Sequence, residues 1–212
     1  MSKTPILAFL LTALLITHAT ANDPPERFLF YLHGQIVEGS DGRPEHPNFG
    51  IYDYPAIIKA LETEGFTVIS EIRESSTDGR KYAETLAAEV QALLDDGTPA
   101  QNISIVGASK GGGIAVAASS ILENEGLNFV FMGTCVNWIQ NWPELELRGR
   151  ILSITEKTDT VAGSCAEPFS NSDLQPEFRE ILINTDRNHG AFYEPVPEWL
   201  NPVVIWCRGE DP

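Results

Sequence analysis

The sequence predicts an α/β protein, a three-layer sandwich in which a mostly parallel sheet carries helices on both faces. Three observations lead there. Short apolar runs alternate with longer segments of helical periodicity. Short polar turns join them, which suits right-handed βαβ crossovers. One passage, ISIVGASKGGGIAVA over Ile103–Ala117, runs from an apolar strand through a glycine-bracketed turn into a small-residue helix.

The elements follow in order. Phe28-Leu29-Phe30-Tyr31-Leu32 is continuously apolar and ends in His33-Gly34, as expected of a strand buried on both faces. The stretch Gln35–Asp53 is rich in Gly, Pro, Glu and Asp and reads as an ordered surface loop. A helix from Pro55 is marked by Ile57, Ile58 and Leu61 and stopped by Gly65, and Phe66–Ile72 supplies a strand. Leu86, Val90, Leu93 and Leu94 share one helical face over Tyr82–Leu94, with Gly97 beyond. After the Ile103 strand and its helix come a strand Asn128–Met132, a loop with Trp138, Trp142 and Pro143, a strand Ile151–Thr155, a last strand Glu180–Thr185 and a closing helix Trp199–Trp206.

Composition bounds the setting. Met1–Ala21 has one positive charge at Lys3, an apolar stretch Pro5–Ile16 and the small-residue ending Ala19-Thr20-Ala21. This is the pattern of a secretory signal peptide cleaved after Ala21, and the apolar stretch is short for a membrane span. A secreted or periplasmic protein is expected, with residues 22–212 as a single domain, given about 150 residues per domain. The leader holds one basic and no acidic residue, so its removal takes the formal charge from −16 to −17. That balance disfavours nucleic acid and anionic membrane surfaces as partners. No Cys/His cluster has metal-ligand spacing, and no phosphate-loop or dinucleotide fingerprint occurs, so neither metal nor organic cofactor is expected.

Chemistry is concentrated where the strands end. In Gly107-Ala108-Ser109-Lys110-Gly111 a serine stands on a sharp strand-to-helix turn, and the glycines two positions either side let the neighbouring backbone pass close. The helix starting beneath it directs N–H groups and its positive dipole end toward the same spot. Ser109 is the candidate nucleophile. A serine hydroxyl needs a base, and histidine titrates in the right range. Of the histidines beyond the leader, His33 follows the first strand, His46 lies in the polar loop, and His189 follows the last strand in Asn188-His189-Gly190. His189 is the preferred base. Its partner carboxylate is expected to be Asp159, in the loop after Ile151–Thr155, with Glu156, Asp173 and Asp186 as rivals.

From about Arg27 onward the chain resembles the α/β-hydrolase superfamily. The family's chain order of serine, acid and histidine is met by Ser109, Asp159 and His189, each after an expected strand. The resemblance implies that Phe28–Gly34 is the oxyanion strand, and that the N–H groups of Gln35 and Lys110 receive the developing oxyanion. Ala108 stands where lipases carry histidine or tyrosine, and Lys110 follows the serine; no extended cap and no antiparallel first hairpin are expected. The implied activity is that of a serine hydrolase, cleaving small-molecule carboxylic esters through an acyl-enzyme. The alternatives are a non-catalytic binding protein on the same fold, and a serine peptidase or dienelactone-type hydrolase.

Tyr52, Trp138, Trp142, Phe192 and Tyr193 fall in loops at the same sheet edge, and Trp138 and Phe192 are the expected substrate contacts. Cys135 and Cys165 follow neighbouring strands at that edge and can reach the ~4.4–6.8 Å Cα separation of a disulfide. Cys207 lies near the end of the closing helix and is expected to be free.

Overall fold

The computed structural model describes residues 25–136, 146–166, 169 and 177–212. Met1–Ala21, Trp138, Trp142 and Asp173 lie outside the described residues. Among those described, no helix is long and apolar enough to cross a membrane.

Six strands form one parallel sheet. They are β1 (Phe28–Leu32), β4 (Thr67–Ile69), β5 (Ile103–Ala108), β6 (Asn128–Met132), β7 (Arg150–Glu156) and β8 (Glu177–Ile183), in the spatial order β4-β1-β5-β6-β7-β8. Burial explains why the central strands read as largely apolar runs. In β1, Leu29 and Tyr31 face one layer while Phe30 and Leu32 face the other, and all four are buried.

The first layer holds α1 (Tyr54–Thr63), through Ile57 and Leu61, and α4 (Pro197–Cys207), through Trp199, Val203 and Trp206. The second holds α2 (Gly79–Asp95), through Ala83, Leu86 and Val90, and α3 (Lys110–Leu122), through Ile114 to Ala118. The three-layer sandwich expected from the sequence is therefore the observed one. Helix α3 is buried nearly all round, which is why it is built of Gly, Ala and Val rather than an amphipathic stripe.

Several boundaries differ from the sequence reading, each for a physical reason. Helix α2 starts three residues early because the Asp78 side chain accepts from the N–H groups of Arg80 and Lys81, a cap worth about 1 kcal/mol that leaves no apolar trace. Strand β4 is shorter than Phe66–Ile72, pairing with β1 only over Thr67–Ile69. Strand β8 starts at Glu177, not Glu180, and ends at Ile183. It is an edge strand carrying exposed Glu177 and Arg179, while Glu180 turns inward to accept from Ser153 Oγ at 2.8 Å and Cys165 N–H at 2.7 Å; its first pair with β7 is the ion pair of Arg150 Nε with Glu177 Oε2 at 3.0 Å. The loop Gln35–Asp53 holds a 3₁₀ turn at Gln35–Val37 and a small hairpin of β2 (Glu45–His46) and β3 (Gly50–Ile51).

Cys135 and Cys165 form the disulfide, with Cα atoms 5.2 Å apart, and Cys207 is free and buried. Burial pushes its thiol up to about 12, leaving it protonated and inert at neutral pH. The bridge is reinforced where Gly163 N–H donates to the Cys135 carbonyl at 2.9 Å, so the loops leaving β6 and β7 are stitched together at the carboxyl edge of the sheet.

Candidate active site

Ser109 joins β5 to α3 with φ 53° and ψ −118°, a conformation that costs a non-glycine residue on the order of 1–3 kcal/mol. Surrounding contacts hold it there. Its N–H donates to the Met132 carbonyl at 2.8 Å, and its carbonyl accepts from Gly113 N–H at 3.1 Å. The two bracketing glycines are required by close approach. A Cβ on Gly107 would lie 2.3 Å from the Gly111 carbonyl oxygen, and one on Gly111 would lie 2.0 Å from that of Leu32. The turn can therefore pass between β1 and α3 only without side chains at these two positions.

His189 lies in a 3₁₀ turn, Asn188–Phe192, after β8. Its Nδ1–H donates to Asp159 Oδ2 at 2.8 Å, and both side chains are almost wholly buried. The other carboxylate oxygen of Asp159 accepts from Val161 N–H at 2.7 Å and Ala162 N–H at 3.1 Å. One oxygen thus shapes the loop while the other fixes the imidazole, leaving Nε2 as the ring nitrogen not engaged by the carboxylate. Asn188, at φ 55°, ties the two loops together: its Oδ1 accepts from His189 N–H at 2.7 Å and Thr160 N–H at 3.0 Å.

Of the rival carboxylates among the described residues, Glu156 is used elsewhere. Glu156, buried at the end of β7, accepts from Thr158 N–H and Oγ1 at 2.6 and 2.7 Å and from Thr185 N–H at 3.0 Å. Although burial alone would raise it, the hydrogen bonds from Thr158 and Thr185 hold its carboxyl below the usual range. Thr158 Oγ1 in turn accepts from Asn188 N–H at 3.1 Å. Asp186, at φ 56°, is a turn residue.

Ser109 and His189 line one cavity of about 510 Å³, with His46, Phe49 and Tyr193 as its aromatic walls. Ser109 also opens on a second cavity of about 470 Å³, lined by Gly113, Ile114, Ala117, Val136 and Val161, with Lys110, Asp78 and Arg80 at its polar margin. Gln35 and Val161 border both. Phe192, expected to touch substrate, instead belongs to the core. Only 2% exposed, it is absent from the described lining of both cavities, and its ring meets the His189 imidazole edge-on at 6.1 Å between centroids. Phe49, which no sequence signal marks, takes the wall position. It stacks on His46 at 4.3 Å and meets His189 at 5.9 Å.

Gln35 and Lys110 are the first residues of their respective helical turns, positions whose N–H groups have no intrahelical partner. The end of β1 abuts the serine turn: a Cβ on Gly34 would lie 3.7 Å from Ser109 Cβ. Gly34 N–H donates to the Tyr52 hydroxyl at 3.4 Å, which pairs with that of Tyr31 at 2.7 Å.

His33 is not exposed at all and acts as a spacer behind this loop. Its Nε2 accepts from Arg73 N–H at 3.0 Å and its Nδ1–H donates to the Gly34 carbonyl at 2.8 Å. Burial, then the Arg73 guanidinium, lowers it from 6.5 to about 4. Below pH 6.5 the unfolded chain takes up a proton that the folded chain refuses until about pH 4. Stability is therefore expected to fall as pH drops through that window, by roughly 3 kcal/mol from this residue and no further below it. Urea midpoints at pH 7 and pH 4.5 test this: His33→Gln should lose clearly less stability between them than the parent protein, and an equal loss would refute the assignment.

No protein-family profile matches the chain, and no curated protein matches it in sequence. Solved structures do. SOBER1 of Arabidopsis thaliana superposes with a TM-score of 0.57 at 14% identity, over 87% of this chain and 98% of that one. The esterase PE8 gives 0.57 at 14% identity, over 87% and 93%. XC6422 of Xanthomonas campestris, described as an α/β serine hydrolase without a lid, gives 0.52 at 15% identity, over 89% and 81%. The chain has the α/β-hydrolase fold, in a minimal form with six strands in the sheet among the described residues.

Proposed function

We propose that the protein is an exported serine hydrolase that cleaves small carboxylic esters, with Ser109 as nucleophile, His189 as general base and Asp159 as the acid that orients it. The observation that carries this reading is the buried Asp159–His189 pair opening on the same cavity as a serine held at φ 53° on a strand-to-helix turn. In this reading His189 removes the Ser109 proton and the hydroxyl oxygen attacks the acyl carbon. The N–H groups of Gln35 and Lys110 hold the resulting oxyanion, and the protonated imidazole then donates to the departing alcohol. Water activated by the same histidine releases the acid. Residues 22–212 act as a single domain, and the disulfide suits the oxidising compartment to which Met1–Ala21 would direct the chain.

The two cavities divide the substrate. The leaving alcohol must lie within reach of the histidine that protonates it, which assigns it to the aromatic-walled cavity shared with His189. The acyl group then occupies the apolar cavity along α3. A fluorophosphonate probe should label Ser109; no labelling would favour a non-catalytic binding protein on the same fold, and labelling at another residue would move the nucleophile. Across p-nitrophenyl esters of increasing acyl length, Ala117→Leu should depress turnover of the longer esters while sparing the acetate. A uniform loss at every length would place the acyl chain elsewhere.

A further inference from the structure

Lys110, the residue after the candidate nucleophile, is not needed as a side chain by the chemistry above, yet it is firmly held. Its ammonium donates to both carboxylate oxygens of Glu38, at 2.7 and 2.8 Å, and to the Thr77 carbonyl at 2.7 Å. Glu38 is 3% exposed and also pairs with Arg73 Nε at 3.4 Å. Arg73 is likewise buried, and its guanidinium donates to the His33 carbonyl.

The placement of these groups along the chain gives them a joint consequence. Glu38 caps the 3₁₀ turn that starts at Gln35, its own N–H donating to the Gln35 carbonyl at 3.1 Å. Lys110 starts α3. Each partner of the ion pair is thus rigidly connected to one of the two N–H groups assigned to the oxyanion, and the pair ties together two segments 72 positions apart in sequence. The Gly39 N–H bond to the Arg73 carbonyl, at 2.8 Å, closes the same loop from behind.

We infer that Glu38 and the Lys110 ammonium form a clamp that sets the spacing of the two oxyanion donors, making both side chains positioning residues for the reaction. The inference rests on the reading of Ser109 as nucleophile. Oxyanion donors stabilise charge only at about 2.7–3.1 Å from where it develops, so a loop displaced by a fraction of an ångström loses transition-state stabilisation without losing the substrate cavity. Two buried or half-buried cations on one carboxylate also leave a positive excess behind the donors, the sign an oxyanion requires.

Lys110→Met is the decisive variant. It keeps the backbone N–H and the buried Arg73–Glu38 pair, so no buried charge is left unpartnered. Turnover of p-nitrophenyl esters should fall about ten- to hundredfold with KM changed by less than about twofold, and fluorophosphonate labelling should slow in parallel, because the phosphonyl oxygen takes the same two N–H groups. Glu38→Gln should slow turnover at least as much, because it also unpairs the buried Arg73, and the double variant should be no slower than Glu38→Gln alone, since the Lys110–Glu38 contact that Lys110→Met removes is already broken in it. If Glu38→Gln does not fold, the result for Lys110→Met stands alone. A folded Lys110→Met with wild-type kcat, a loss carried by KM, or single-variant effects that multiply in the double variant would overturn the clamp. Absence of labelling and turnover in the wild type would instead overturn the hydrolase reading, and the clamp with it.

Discussion

Ser109→Ala is expected to lower ester hydrolysis by at least about a thousandfold while leaving the fold and its thermal midpoint close to those of the parent protein. The size of the loss follows from the division of labour at such sites: without the hydroxyl, only the N–H donors and the cavities remain, and they retain a small residual rate over water. The neutrality toward stability follows from geometry. Ser109 is only partly buried and opens on two cavities, so removing its oxygen leaves no void in the core, and the contacts that impose φ 53° are made by its backbone, which alanine retains. A change of that kind stays within about 0.5 kcal/mol. Steady-state kinetics beside a thermal melt checks both halves; a folded Ser109→Ala with wild-type turnover would remove the serine from the mechanism.

Asp159→Asn should also be severely damaging, by about ten-thousandfold in turnover, and for a different reason. The amide oxygen can still accept from Val161 and Ala162 N–H, so the loop keeps its shape. The amide nitrogen, however, presents hydrogens to His189 Nδ1 where the carboxylate accepted one. The imidazole is then driven to the tautomer protonated at Nε2, which cannot take the serine proton. Glu156→Gln serves as the comparison. Its partners, Thr158 and Thr185, are donors that a carboxylate serves better than an amide, so this variant should cost stability and disturb turnover mildly. Should Glu156→Gln prove the more damaging to kcat, the acid would have to be reassigned to Glu156.

The sequence by itself determined the layered architecture. Strands buried on both faces are built mostly of apolar residues, so β1, β5 and β6 are legible as largely apolar runs. Helices α1 and α2 must bury one face, and that imposes a period. The serine turn was legible because close backbone packing admits only glycine at positions 107 and 111, a constraint local enough to be written in five residues. The order of strand ends along the chain likewise nominated His189 and a short set of carboxylates.

Which carboxylate meets the imidazole was decided by tertiary structure alone. Asp159 and Glu156 lie three positions apart, and only the path of the loop between β7 and the disulfide turns one toward His189 and the other toward Thr185. The same holds for Phe192, read as a pocket residue but folded into the core, and for Phe49, its unmarked replacement on the cavity wall. The ends of β8 escaped notice because an edge strand is free to carry charge outward. The Arg73–Glu38–Lys110 cluster left no signature because its members come from three separate segments. Periodicity records what one element needs from its own neighbours in sequence. Contacts between side chains far apart in the chain depend on strand register and loop direction, and these are fixed only when all the layers pack at once.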